Sequence, residues 1–416
     1  MALAWRAVDE KFISDLNAFS DLKVRLSYGT SGNQAIGPYQ SLAQLRGDTY
    51  VFNGNLVNAY YPASLASPKL TWETTYQGDV GIDIGLLKGR INLTADVYDK
   101  QTKNLLQYVG IPPDTGFGAA QANAGQVQNR GLEVALNVRA IDGANFKWTP
   151  SGNISINRNK IVELGLDKLV DFSPNISYDV QPFILQKGDP IGRIYALQEA
   201  GIFKSAEDVI AAFPKIDAAT AKGLVGTIHY VDRNGDGIID DADRTVVGNV
   251  NPKFVWGFNN QFNYKNLDLG IFFQGSVGND IINYVRRNLE NLGSTDHSNI
   301  TQAAYDNRWT ASNPNGTVMR AGNDDTNPFR FSDRFVESGT YARLKNVSLG
   351  YNFTFPQYGI RSARLFASVT NVATITKYTG YDPEVNAYGQ DPSRRGVDLG
   401  NYPTARSYSL GVNVGF

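Results

Sequence analysis

Residues 79–98 read DVGIDIGLLKGRINLTADVY. Val80, Ile82, Ile84 and Leu86 alternate with Gly81, Asp83 and Gly85; just past Lys88-Gly89, Ile91, Leu93, Ala95 and Val97 alternate with Asn92, Thr94 and Asp96. A period of two gives each run one apolar and one polar face. Two such runs joined by a short Gly-containing turn predict an antiparallel hairpin.

The pattern recurs along the chain. Leu22, Val24, Leu26 and Tyr28 show it, as do Leu132, Val134, Leu136 and Val138, and Leu267, Leu269, Ile271 and Phe273. It returns at Val347, Leu349, Tyr351 and Phe353, and again at Leu410, Val412, Val414 and Phe416. A soluble sandwich also alternates, so the connections carry the decision. Short turns at Lys88-Gly89, Asp142-Gly143-Ala144 and Lys265-Asn266 alternate with long loops near residues 29–70, 204–252, 278–335 and 373–402. That asymmetry is the signature of an outer-membrane barrel, with short periplasmic turns and long extracellular loops. Recurrent strand-end aromatics (Tyr98, Tyr264, Tyr351, Phe353, Phe416) suit interfacial girdles. The expected fold is all-β, a transmembrane antiparallel barrel segment of about thirteen strands.

Composition excludes several classes. A net charge of -1 offers no basic excess for nucleic acid, and with no cysteine there is no disulfide framework, thiolate metal site or cysteine nucleophile. No apolar run reaches the length of a transmembrane helix, and averaged hydropathy hides strands that alternate. Enzyme readings are thin. His229 lies in a strand-like run, His297 is merely adjacent in sequence to Asp296 and Ser298, and no Walker, HExxH or GxSxG pattern is present.

Residues 232–243, DRNGDGIIDDAD, read like a calcium loop, with Gly237 at the sharp-turn position. The candidate ligands are Asp232, Asn234, Asp236, the Ile238 carbonyl, Asp240 and Asp243. The flanks (Thr227–Val231, Thr245–Val247) favour strand, which rules out an EF-hand. Two readings stay open: a structural calcium site, or an Asp/Asn/Gly-rich turn whose side chains serve the backbone. The loop sits in an insertion over 204–252, where Asp208–Phe213 suggests a short helix ended by Pro214. Loop aromatics that could stack on sugars are Tyr60, Tyr61, Trp309, Tyr378, Tyr381 and Tyr388; Trp309, Tyr378 and Tyr381 are the substrate-binding candidates, against the alternative of loop packing.

Several phrases then resemble one family. They are LKVRLSYG (22–29), LTWE (70–73), NRGLE (129–133), the 232–243 loop, YARLKNVSLGY (341–351), TNV (370–372), GYDPE (380–384) and the terminal Phe416. In this order they resemble the C-terminal barrel portion of SusC/RagA-family TonB-linked outer-membrane proteins, over nearly all of residues 1–416. The resemblance implies a barrel of about 22 strands with a plugged lumen. It implies a preceding plug and TonB box, a SusD-like lipoprotein capping the mouth, and TonB-driven import of oligosaccharides or peptides. Neither plug nor TonB box is in this sequence, so the expectation is a fragment with exposed strand edges. No cofactor is required on this reading, and the partners are TonB, the lipoprotein, outer-membrane lipid and the barrel assembly machinery. Tyr408, Leu410, Val412, Val414 and Phe416 share one face and resemble the assembly signal of such barrels. The alternatives are a surface β-rich glycan-binding module without transport and, more remotely, an outer-membrane hydrolase.

Overall fold

In the computed structural model, residues 1–34, 36–165, 168–170, 182–293, 299–322, 329–355, 360–389, 391 and 394–415 are described. His297 and Phe416 lie outside the described residues. The chain divides into two compact units. The first holds residues 1–140, 151–169 and 185–191, and the second holds 141–150, 170–184 and 192–416.

The first unit is an up-and-down meander. Its strands Ala2–Arg6, Phe19–Asn33, Glu73–Leu86, Ile91–Lys103, Gly125–Val138 and the greater part of Phe146–Leu164 each pair antiparallel with the next. The 79–98 hairpin forms as its alternation predicts, with Leu86 opposite Ile91 and Val80 opposite Val97. The turn between them places Leu87, Lys88 and Gly89 all at positive φ (51°, 57° and 74°), and only the glycine adopts this freely. Register then builds apolar rows across four strands: Leu26, Val80, Val97, Leu132, and one strand further, Ile156.

The second unit contains another meander: Phe254–Tyr264, Leu267–Val277, Tyr341–Phe355, Ile360–Thr376 and Ser407–Gly415. Its central row runs Phe262, Leu269, Leu349, Ala367, Leu410. Together with the two-residue strand Ile141–Asp142, the two meanders supply twelve strands, close to the about thirteen expected from alternation.

Burial is inverted relative to a water-soluble fold. Leu26, Val80, Val97, Leu349, Leu410 and Val412 are exposed although each sits on a continuous apolar face. Ala7 and Ile161 apart, every buried apolar side chain among the described residues belongs to the long connections of the second unit. Phe183, Ile194, Val250, Ile282, Tyr284, Phe331, Phe335 and Val397 form the largest of these clusters. An apolar sheet face left bare beside a well-packed loop core is the arrangement a bilayer stabilises, because lipid covers what the protein does not.

The long connections are therefore built structures. Residues 29–70 carry a hairpin, Leu45–Phe52 with Asn55–Pro62, turning at Asn53-Gly54. Within 204–252 the helix is Ala206–Ala212, started by a Ser205/Asp208 capping box and followed by Pro214. A second helix, Ala218–Gly223, is capped by Asp217. Strands Ile228–Tyr230 and Thr245–Asn249 pair back onto Glu199–Ile202 and Arg193–Ala196, so the insertion shares its sheets with the residues before it.

Candidate functional site

The polar face of each meander is laced by ion pairs that cross a strand. In the first unit Arg25 Nε lies 2.9 Å from Asp83 Oδ2, and its Nη2 lies 2.8 Å from Asp96 Oδ1. Thr94 donates to Asp83 at 3.0 Å. Arg25 and Asp96 stand on opposite sides of Gly81 and are paired in register with it from either flank. A Cβ there would sit 2.2 Å from the Asp96 carboxylate. In the second unit Gly350 plays the same part, because Arg364 reaches over it to Asp268 at 2.5 and 3.0 Å. Glycine, unfavourable in a strand on propensity, is needed here for close side-chain passage. Gly81→Val is expected to push the arginine aside and lower the stability of the full-length protein by roughly 1–3 kcal/mol. A lower urea midpoint checks this; an unchanged midpoint refutes it.

Two largely buried ionic clusters hold the long connections of the second unit, the first of them to the strands Tyr341–Phe355 and Leu267–Val277. In the first, Arg343 is almost wholly buried. Its Nη2 lies 2.5 Å from Asp382 Oδ1 and its Nη1 2.7 Å from Glu384 Oε2, while Nε donates to Thr374 at 2.9 Å. Tyr341 and Gln274 also donate to Glu384, and Thr404 donates to Asp382 through both its N–H and its hydroxyl. Burial alone would raise the Asp382 pKa, but the hydrogen bonds from Thr404, the Glu384 N–H and Arg343 outweigh it and hold Asp382 at about 2. In the second cluster Glu290 joins Arg286 (2.7 Å) to Arg334 (2.9 Å), Arg286 reaches Glu337 (3.1 Å), and Arg334 approaches Glu199 (4.0 Å). Burial pushes the Glu199 carboxyl up despite the Ser332 hydroxyl bonded to it.

The 232–243 loop is folded around its own backbone. Asp232 accepts from the Gly235 and Gly237 N–H groups at 2.7 and 2.8 Å, and Asn234 accepts from Asp236 at 2.9 Å. Asp236 accepts from Ile238 at 2.7 Å and Asp240 from Ala242 at 2.7 Å. Asp243 is fully buried and accepts from Arg233 at 2.8 Å and Asp240 at 2.9 Å. Among the described residues no group of three or more His, Asp or Glu side chains is placed to hold a metal ion. These bonds are the turn chemistry of an Asp/Asn/Gly-rich loop. Asp243→Ala removes the buried acceptor of at least two N–H groups. It is expected to cost roughly 1–3 kcal/mol locally, read as protease cleavage within 233–242 at lower enzyme concentrations.

The three substrate-binding candidates are not brought together. Tyr378 is buried against Ile281 and Val385 and donates to Asp398 at 2.5 Å; burial, reinforced by that carboxylate, raises its hydroxyl pKa. It therefore has no open ring face for a sugar, a correction to the sequence reading. Trp309 is half-buried, with its indole against Gly226 and its N–H without a hydrogen-bond partner among the described residues. Only Tyr381 is freely exposed. His229 stacks on Phe203 at 4.3 Å, and burial lowers its pKa, which accounts for it as a packing residue. Sequence reading passed over Arg343, Asp382 and Glu384 as site residues, although they lie in two of the phrases that carry the resemblance. A cavity of about 710 Å³, lined by Phe203, Phe213, Ile216, Leu224, Ile228 and Ile239 together with Asp232, Asp236 and Arg330, lies in the same unit.

The family model described as TonB dependent receptor-like, beta-barrel, matches residues 2–194. TonB-dependent receptor P3 of Formosa agariphila is 35% identical over 427 residues, covering 100% of this chain and 41% of the relative. TonB-dependent receptor SusC of Bacteroides thetaiotaomicron is 29% identical, covering 100% of this chain and 40% of the relative. The solved RagAB peptide transporter aligns with all of this chain and 43% of its own at a TM-score of 0.80 and 26% identity.

The chain belongs to the SusC/RagA-type TonB-dependent receptors. It spans about two-fifths of the length of the curated relatives it matches. Receptors of this type reside in the outer membrane, so the bare apolar rows face lipid, the ion-paired face is the inner wall, and the long connections are extracellular. Tyr408, Leu410, Val412 and Val414 of the last strand lie on the lipid face, exposed as a row.

Proposed function

We propose that the chain is the barrel-wall and extracellular-loop portion of a TonB-driven nutrient importer. On this reading it works with a SusD-like lipoprotein at the extracellular mouth and carries oligosaccharides or peptides. The observation that carries the reading is the alignment of the whole chain with the RagAB peptide transporter at a TM-score of 0.80. The rigid ionic clusters of the extracellular connections support it, because a lid needs a fixed surface to close on. The test uses cells expressing the full-length protein, supplied separately with labelled peptides and labelled oligosaccharides. Uptake of one class that disappears on deleting TonB supports the reading and names the cargo. Surface binding of either class with no TonB-dependent uptake overturns it in favour of a binding module.

A further inference from the structure

The cavity of about 710 Å³ is walled mainly by the 204–252 insertion. Phe213 and Ile216 reach it from between the helices Ala206–Ala212 and Ala218–Gly223, and Leu224 from the end of the second helix. Ile228 comes from the strand Ile228–Tyr230 and Ile239 from the 232–243 loop. Phe203 and Phe213 stand 6.1 Å apart with ring planes at 59°, a corner of the kind into which a third ring packs. Each wall is held without help from an occupant. Phe213, Ile216 and Leu224 pack on the buried cluster Phe203, Val209 and Ala221. Ser205 and Asp217 cap the two helices. The 232–243 loop is closed by its own Asp and Asn side chains. Arg330 ties that loop to the strand, donating from Nη1 to the Ile239 carbonyl at 2.6 Å and from its backbone N–H to the Tyr230 hydroxyl at 2.8 Å. A cavity of this size with fixed apolar walls is preformed, the usual condition of a small-ligand site. Lys215 and Asp236 also line it and are exposed, one a donor and the other an acceptor.

We propose that this cavity is a subsite for one large apolar side chain of a peptide cargo, with Lys215 and Asp236 meeting the C=O and N–H groups that flank that residue. The proposal rests on the importer reading in calling the ligand cargo, and it chooses between the two cargo classes. The choice follows from the walls. A pyranose buried there would turn its hydroxyls onto alkyl and phenyl groups, and a hydroxyl buried without a partner is costly. A phenylalanine or leucine side chain carries no such group and is stabilised by every wall it touches. The backbone on either side of it brings donors and acceptors in equal number, which the rim answers with one of each.

The test takes the full-length protein in lipid nanodiscs, without its lipoprotein, and titrates it by calorimetry with Gly-Gly-Phe-Gly-Gly, Gly-Gly-Ser-Gly-Gly and maltopentaose. The phenylalanine peptide is expected to bind roughly ten- to a hundredfold more tightly than the serine peptide, the range set by burying one large apolar side chain. Maltopentaose is expected to bind no better than the serine peptide. Ile216→Trp, which fills the cavity, is expected to remove the preference; Leu224→Trp fills it from another wall and serves if the first variant does not fold. A further arm needs no variant. The same peptide with photoreactive benzoylphenylalanine in place of phenylalanine is expected to cross-link within residues 203–239 or at Arg330. Equal affinity for the two peptides, a preference kept by a folded, filled variant, tighter binding of maltopentaose, or cross-links confined elsewhere overturns the proposal. No preference in wild type, together with weaker capture of the SusD-like lipoprotein by Ile216→Trp, also overturns it and assigns the cavity to the lid. Binding is read without TonB, so the site stands or falls separately from the uptake that tests the importer reading.

Discussion

Replacing Arg343 with leucine in the full-length protein is expected to lower stability by roughly 3–5 kcal/mol, the cost of leaving a buried carboxylate without its cation. Asp382 is 5% exposed and loses the guanidinium that pairs with it, whereas Glu384, which Arg343 also reaches, keeps Lys345 at 3.7 Å. Because these acids and Thr404 belong to the 377–406 connection, amide exchange there should accelerate far more than in the strand Leu267–Val277. Uniform exchange behaviour in both regions would sink the idea that the cluster fastens this loop. The pH dependence has a definite sign. Asp382 is depressed to about 2 from 3.8, so its contribution is fully present above 3.8 and is lost as pH falls through about 2. The fastening should therefore survive ordinary acidification and release only in strong acid.

The second large effect belongs to the lipid face. Leu349 lies in the middle row of the second meander, between Leu269 and Ala367. Leu349→Arg is expected to cost roughly 2–4 kcal/mol and to deplete folded protein from the outer membrane. Ser348→Arg, one residue away, faces the inner wall and should be tolerated. Equal loss from both variants would mean that the two faces have been assigned wrongly.

How much was legible follows from the range of each signal. Strand faces were readable because period two is local: residues 79–98 pair as their alternation requires. The Ala206–Ala212 helix was readable from Pro214 and sits one or two residues earlier because Ser205 and Asp208 set its start. Arg343 was not readable. Continued alternation from Val347 through Lys345 would put it on the lipid face, but the register shifts between Leu344 and Asn346, and the extra residue turns Arg343 inward. The loop core escaped for another reason. Phe183, Ile282, Phe335 and Val397 meet only in three dimensions, and no window along the chain contains them. Tyr378 was read as a cargo contact because a loop aromatic has no visible neighbours in sequence; in a loop body large enough to own a core, it is part of that core.

On the proposed importer reading, the one-to-one Arg364–Asp268 pair that crosses Gly350 has a consequence for anything moving beside it. A lone charge projects a field that falls with the square of distance; a matched pair is a dipole, whose field falls with the cube. A solute passing this wall meets short-ranged polarity with little pull at a distance, whatever its own sign. Transit favours that quality, since a surface that held ions firmly would keep them. Gly350, by letting that pair close, keeps this stretch of the wall slippery.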